Sequence, residues 1–351
     1  GVALIIAPWN FPLAILGGMA SAALVAGNAI IIKASSQTSI IAYEFITLLT
    51  SILRDSLYPP GLVSLLPGDG NTIGEYLVKH KDIRLIAFTG SNQVGKKIQE
   101  IAASAVPSKK IIAEMGGKNA IIVDATADLD EAIPGVMSST FGYAGQKCSA
   151  CSRLILEESI YEQFIERFKT AILEMKIGDL QDESTYMGPQ IDQKAKNSIQ
   201  SYIDEAKLNH QMIIGDLAVP QDGFFISPYV FLVDDKTSRI AQEEIFGPVL
   251  AVFKARDIGH AIKIANSTSY GLTGAIFSRS PDNIKLACDE FETGNLYVNR
   301  GSTGAVVSRQ AFGGLKNSSV GFKAGGPLYL LQFVQERTIT ENTMRRGFVA
   351  D

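Results

Sequence analysis

Four short apolar runs rich in β-branched residues, Ala29–Lys33, 62–67, 85–88 and 110–113, alternate with longer stretches of helical periodicity in the first third of the chain. Strands that are apolar along their whole length need helices on both faces, so this alternation implies a parallel sheet built from βαβ units. After Gly116-Gly117 a second series opens with Asn119–Val123, a helical stretch at 128–141, a strand at 152–156 and a helix at 161–175. The rhythm continues through 249–253, 258–266, Thr273–Phe277 and 283–292, which gives a second α/β domain. A chain of 351 residues with 46% apolar content exceeds what one hydrophobic core supports, in agreement with two domains.

The segment 13–32 is nearly long and apolar enough to span a bilayer, but Gly27-Asn28 interrupts it and Gly17-Gly18 weakens it. It reads as a buried helix, a turn and a strand, so no membrane partner is expected. A formal charge of −4 with no basic arm leaves no electrostatic footprint for nucleic acid. Three cysteines, Cys148, Cys151 and Cys288, are an odd and sparse set. In a chain of this size they point to free thiols in a reducing compartment, the cytoplasm or the matrix of a mitochondrion. The chain opens without Met inside an apolar run at 2–7, and an upstream part is expected to be missing. A β-prone tail at 338–340 suits pairing on another subunit's sheet, so a homodimer or a higher homo-oligomer is expected.

Cys148 lies in Gly145-Gln146-Lys147-Cys148-Ser149, where a glycine turn can present a thiol at a cleft and Lys147 can lower its pKa. The same residue also fits a buried small hydrophobe or, with Cys151, a C-x-x-C redox pair or half a zinc site. No second C-x-x-C exists, and His80, His210 and His260 stand apart from one another and from the cysteines, so no metal site is expected. With histidine so scarce, the base for a cysteine nucleophile must be a carboxylate or a water relay.

Glu114 is placed for that role, ending an apolar strand just before Met115-Gly116-Gly117, from where its carboxylate can project into a cleft. A solvated strand-end glutamate is the plainer alternative. Asn10, in Pro8-Trp9-Asn10-Phe11-Pro12, is a rigid amide able to hold an oxyanion or simply to form a turn. Phe88-Thr89-Gly90-Ser91 ends a strand ahead of a helical stretch at 94–103, so free helix amides can face a pyrophosphate. Gly68-Asp69-Gly70 with Gly74 reads as a turn and a helix start.

Together with Glu243-Glu244-Ile245-Phe246-Gly247-Pro248, these motifs, in this order, strongly resemble the aldehyde dehydrogenase superfamily. The resemblance implies an aldehyde dehydrogenase-like α/β fold. It comprises a Rossmann-type NAD-binding domain at 1–116, incomplete at its start, a catalytic domain at 117–318, and a return to the first domain with an oligomerisation strand at 319–351. It further implies that Cys148 attacks an aldehyde and that Asn10, with the Cys148 amide, holds the oxyanion. Glu114 then activates the water that cleaves the thioester.

For the cofactor, the resemblance implies that Lys33 reaches the adenosine ribose and that Gly90, Ser91, Val94 and Gly95 line the pyrophosphate path. Glu244 and Phe246 would place the nicotinamide. Many NAD-preferring members carry Glu three residues after the lysine, where this chain has Ser36, so NADP stays open beside NAD.

The stretch Gly301-Ser302-Thr303-Gly304-Ala305-Val306-Val307, with Arg309 to Gly314, Lys323 to Pro327 and the ending Glu341 to Phe348, is similar to the 1-pyrroline-5-carboxylate dehydrogenases. By that resemblance Gly304, Ala305 and Ser149 bind the carboxylate of L-glutamate 5-semialdehyde, and Phe11 and Phe312 clamp its aliphatic middle. Proline breakdown to glutamate is the implied role. Another carboxylated semialdehyde and an inactive remnant are the alternatives, as is a parent that is a bifunctional proline utilization protein. Ala311 where the subfamily has Pro, and Asn317-Ser318-Ser319-Val320 where it is richer in Gly, depart from the pattern.

Overall fold

The structure, a computed structural model, describes residues 1–343. Residues 344–348 of the ending singled out above lie outside the described residues. The first sheet is made of β1 (Val2–Ile6), β2 (Ala29–Lys33), β3 (Val63–Leu65), β4 (Ile83–Thr89) and β5 (Lys110–Glu114). The second contains β6 (Asn119–Val123), β7 (Cys151–Glu157), β8 (Gln211–Ile214), β9 (Tyr229–Leu232) and β10 (Val249–Ala255). After the short β11 (Tyr270–Gly271), strands β12 (Thr273–Phe277) and β13 (Asn295–Val298) complete it. Two short strands follow, β14 (Leu315–Lys316), paired with β11, and β15 (Ser319–Val320), which returns to the first sheet.

The first sheet runs β15-β5-β4-β1-β2-β3, parallel except for β15. The chain therefore starts in the middle, builds outward to β3, then crosses to the other side of β1. That reversal makes a topological switch point between β1 and β4, and ligands of such sheets bind outside the carboxyl ends of the two strands there. The second sheet runs β13-β12-β6-β7-β10-β9-β8, with only β8 antiparallel. Its strands β6 and β12 are buried at every residue, as the continuous apolar runs require.

Helices α1 (Ala14–Val25), α2 (Ser39–Asp55), α3 (Glu75–Lys79) and α4 (Asn92–Ser104) accompany the first sheet. The second carries α5 (Leu129–Phe141), α6 (Tyr161–Leu173), α7 (Gln193–Asn209), α8 (Arg239–Gln242), α9 (Ile258–Ala265) and α10 (Pro281–Glu290). The segment 13–32 folds as expected into α1, a turn at Gly27 and β2, and α1 is short enough to pack inside the first core. No helix among the described residues is long and apolar enough to cross a membrane. Gly68 to Gly74 forms the expected turn and helical start, with Asp69 accepting from the Asn71 amide at 2.7 Å. Residues 338–340 lie in irregular backbone, and Ile339 is exposed.

Candidate active site

A cleft of about 680 Å³ opens at the switch point. It is lined by Ile6 to Asn10 at and after the end of β1, by Phe88 to Ser91 at the end of β4, and by Lys33 at the end of β2. Met115 and Gly116 lead from the first sheet to the second, and Cys148, Glu244 and Phe246 face them from the second domain. The cleft thus sits between the two sheets, each contributing chemistry-bearing side chains.

The backbone before Cys148 is bent hard. Tyr143 (φ 62°), Ala144 (φ 54°) and Gly145 (φ 72°) all adopt left-handed conformations, which non-glycine residues take only where surrounding structure holds them. A Cβ at Gly145 would stand 2.4 Å from the carbonyl oxygen of Gly247, so glycine is required there both for its conformation and for the close approach. Gln146 braces the bend, accepting from the Ile191 amide at 2.9 Å and donating to the carbonyls of Tyr143 (3.2 Å) and Pro189 (3.3 Å).

Asn119 secures the other flank, donating from Nδ2 to the carbonyls of Cys148 (2.7 Å) and Ala150 (2.8 Å) and accepting from the Thr273 amide (3.0 Å). Neither Gln146 nor Asn119 stands out as a functional residue in the sequence. The signal for both was their place inside the motifs, since each amide spends its polar groups on the backbone that aims the thiol.

Cys148 does not carry the lowered pKa expected of it. Burial pushes its thiol up to about 12, and the carboxylates of Glu244 and Glu114 add to the rise, while backbone amides of Ser149 and Cys148 itself oppose it. Lys147 is not among the groups acting on the thiol, and its ammonium lies 3.3 Å from where a Cβ on Gly142 would stand. All three cysteines are free, and Cys151 is buried in the core of the second domain with its thiol donating to the Arg153 carbonyl at 3.3 Å. Among the described residues no cluster of ligating side chains could hold a metal ion.

Asn10 is buried, and its Nδ2 donates to the Gln146 carbonyl at 3.0 Å, two residues before the thiol. An amide nitrogen has two hydrogens, so one is left for an oxyanion. Glu244 is fixed by the Gly117 amide, which donates to its Oε1 at 3.1 Å. A Cβ at Gly116 would fall 2.0 Å from Glu244 Oε2, so only glycine lets the carboxylate lie against the backbone here. Burial raises the pKa of Glu244 to about 7, and Lys118, itself fully buried with its ammonium unpartnered and lowered to about 7, pulls it back. Phe246 also has positive φ (59°) and meets the Trp9 ring edge-on at 5.6 Å.

Glu114 ends β5 as expected, but its carboxylate does not line the cleft. Oε2 accepts from the Ser319 hydroxyl at 2.8 Å, because β15 pairs with β5 in a register that sets Ser319 opposite Glu114. Burial raises its pKa to about 8, against the opposing pull of Ser319 and Lys323.

Of the other residues singled out in the sequence, Lys33, Gly90, Ser91 and Val94 line the cleft. Ser91 caps α4, its hydroxyl accepting from the Val94 amide at 3.4 Å. Gly95 is instead packed beneath the cleft, where a Cβ would strike Met115. Ser36 also falls outside it, since it starts a tight turn at Ser36–Thr38 that points Ser35 and Gln37 inward. Sequence reasoning missed Gln37 and Asp192, which both line the cleft and join across it, Gln37 Nε2 donating to Asp192 at 3.0 Å.

The residues assigned to substrate, Phe11, Ser149, Gly304, Ala305 and Phe312, do not line this cleft. Ser149 is buried, and its carbonyl accepts from Thr273 (3.2 Å) and Ser302 (3.1 Å), which ties the loop bearing Gly304 and Ala305 to the residue after the thiol. Arg300 braces that loop by donating to the Thr303 and Gly304 carbonyls at 3.1 and 3.2 Å. Phe11 stacks on Tyr143 at 5.8 Å, while Phe312 bridges by its backbone to Ala324.

The fold and site define a doubly wound dinucleotide-binding type of protein with a cysteine, an amide and two carboxylates gathered where its sheets meet. Residues 1–339 match the model of the aldehyde dehydrogenase family, and the chain belongs to that family. It is 47% identical, over 345 residues, to the 1-pyrroline-5-carboxylate dehydrogenase of Geobacillus sp. (strain WCH70), covering 97% of this chain and 66% of that protein. The corresponding protein of Bacillus subtilis (strain 168) is 42% identical over the same shares.

Among solved structures, proline utilization A from Bdellovibrio bacteriovorus is similar at 47% identity and a TM-score of 0.93, covering 99% of this chain and 36% of that one. A 1-pyrroline-5-carboxylate dehydrogenase from Thermus with bound NAD matches at 42% identity and a TM-score of 0.90, covering 95% and 65%. The chain thus spans just under two thirds of the curated relatives' length.

Proposed function

We propose that this chain carries the catalytic apparatus for NAD-dependent oxidation of L-glutamate 5-semialdehyde, formed from 1-pyrroline-5-carboxylate, to L-glutamate. The observation that carries this reading is the convergence of Cys148, Asn10 and Glu244 on one cleft, with the buried Ser302 tying the 301–307 loop to Ser149. Support for the substrate comes from the names of the relatives at 47% identity. The division at 1–116, 117–318 and 319–351 belongs to the same reading, as do a cytoplasmic setting and assembly into a homo-oligomer.

The cleft suits a dinucleotide. Gly116 lets the Glu244 carboxylate lie against the backbone, the start of α4 offers amides near Gly90 and Ser91, and Lys33 supplies a cation. Lys33, Gly90, Ser91 and Val94 would hold the adenosine and phosphate end, with Glu244 and Phe246 at the nicotinamide end. Bound NAD supplies the acceptor for the hydride that leaves the substrate carbon.

The protein's own residues do the rest. Cys148 passes its proton to the Glu244 carboxylate, which lines the same cleft, as Sγ bonds to the aldehyde carbon. The carbonyl oxygen becomes an oxyanion held by the free Asn10 hydrogen and the Cys148 amide. Loss of hydride leaves a thioester. Glu114 then takes a proton from water, the water oxygen attacks the acyl carbon, and the carbon–sulfur bond breaks to release the carboxylate product and a thiolate that recovers its proton from Glu244, while Glu114 gives its own to solvent. Gly304 and Ala305 offer backbone amides to the carboxylate at the substrate's other end, helped by Ser149.

The test is to incubate the protein with NAD and glutamate semialdehyde, acetaldehyde or succinate semialdehyde, and to follow NADH absorbance. The expected result is a kcat/KM for glutamate semialdehyde well above the other two. Equal values would sink the substrate assignment.

A further inference from the structure

The hydrogen bond between Ser319 and Glu114 is built with a direction. Ser319 sits opposite Glu114 in the antiparallel pairing of β15 with β5. Its oxygen accepts from the Gly314 amide at 2.6 Å, so its own proton is directed to Glu114 Oε2 at 2.8 Å. A hydroxyl held that way favours an ionised carboxylate, which can only accept, over a protonated one. The other charged or titratable groups acting with Glu114 are Lys323, Cys148 and Tyr329. Lys323 is itself tied to the carbonyl of Gly294, which fixes its ammonium beside this site.

We propose that Ser319 is a positioning residue for Glu114, holding its carboxylate against β15 and supplying the directed hydrogen bond that keeps it available as a base. The inference rests on the reading of Glu114 as the group that activates water for thioester cleavage. Burial raises the pKa of this carboxyl to about 8 even with Ser319 and Lys323 pulling it down, so the two limit the rise and preserve an ionised fraction at neutral pH that loss of Ser319 would shrink. The serine also explains how Glu114 can sit outside the cleft while Cys148 is being acylated, since its resting partner lies on the first sheet and not on the thiol.

The experiment uses 4-nitrophenyl acetate, whose burst reports acylation of Cys148 and whose steady rate reports deacylation. Rates are followed from pH 6 to 10 in the wild type, Ser319→Ala, Ser319→Gly and Ser319→Thr. Both variants lacking the hydroxyl should keep the burst, deacylate roughly tenfold more slowly at pH 7, and shift the midpoint of the deacylation profile upward by about one unit. Ser319→Thr, which retains the hydroxyl, should keep the wild-type midpoint. Two hydroxyl-free variants guard against one of them failing to fold. An unchanged midpoint in both would overturn the role of Ser319 while leaving the function intact. Absence of any wild-type burst at Cys148 would overturn the functional reading, and this inference with it.

Discussion

The side chain of Asn10 donates to the carbonyl of Gln146 at 3.0 Å, joining the loop after the first strand to the bend that carries the thiol. Residues 136 positions apart are thereby locked together two residues before Cys148. The contact has a catalytic and a structural face, and they separate on mutation. Asn10→Ala should lower kcat by roughly a hundredfold, the range for loss of one oxyanion donor. It should also cost about 1 kcal/mol in urea unfolding, because the Gln146 carbonyl loses its partner. A stability loss with kcat intact would confine Asn10 to scaffolding.

The charges around Cys148 predict how it reacts at rest. With burial, Glu244 and Glu114 pushing the thiol up to about 12, little thiolate exists at neutral pH in the free protein. In a Cys288→Ser background, alkylation by iodoacetamide should rise about tenfold per pH unit from 7 to 9 without a plateau. Glu244→Gln removes one of the two negative neighbours and should speed alkylation several-fold above pH 7, where Glu244 is ionised, and less below it. A wild-type plateau below pH 8 would contradict this electrostatic picture.

Gly116 gives a test of the cofactor end. Gly116→Ala places a methyl 2.0 Å from Glu244 Oε2, which must swing out of the cleft to make room. Trp9 is the single tryptophan and lines the same cleft, so its fluorescence reports binding. Quenching by NAD should shift to at least tenfold higher concentration in the variant, and an unshifted titration would detach Glu244 from the cofactor.

The substrate loop is probed by Ala305→Leu. Crowding of the amides that face the substrate carboxylate should raise KM for glutamate semialdehyde roughly tenfold while leaving propanal unaffected, an interaction lost in binding and not in chemistry. Equal effects on both aldehydes would remove the loop from carboxylate recognition.

Much of the architecture was legible because fully buried parallel strands write themselves as apolar runs. β2, β4, β5, β6, β7, β10 and β12 all fall within or close to the runs read from the sequence. Helix α7, with exposed polar residues along most of its length, and strands β8, β9 and β13 carry weaker patterns and escaped notice. Within the site, local motifs located Cys148, Asn10 and Glu244 but not what surrounds them. The expected low thiol pKa failed because burial and the facing carboxylates of Glu244 and Glu114 raise it, and neither tertiary burial nor a carboxylate brought in from another part of the chain is visible in a local motif. Ser319 is likewise set opposite Glu114 by a strand pairing across 205 residues, which no local pattern announces.

The central claim is that Cys148 becomes covalently acylated by the aldehyde it oxidises. Intact-mass and peptide analysis of a Glu114→Gln variant, quenched early in turnover with NAD and glutamate semialdehyde, tests it most directly. The account predicts a glutamyl thioester on the peptide containing Cys148, accumulating because its hydrolysis is slowed, and no adduct or turnover in Cys148→Ala. Turnover in Cys148→Ala at the wild-type rate, or an acyl group found only on Cys151 or Cys288, would contradict it.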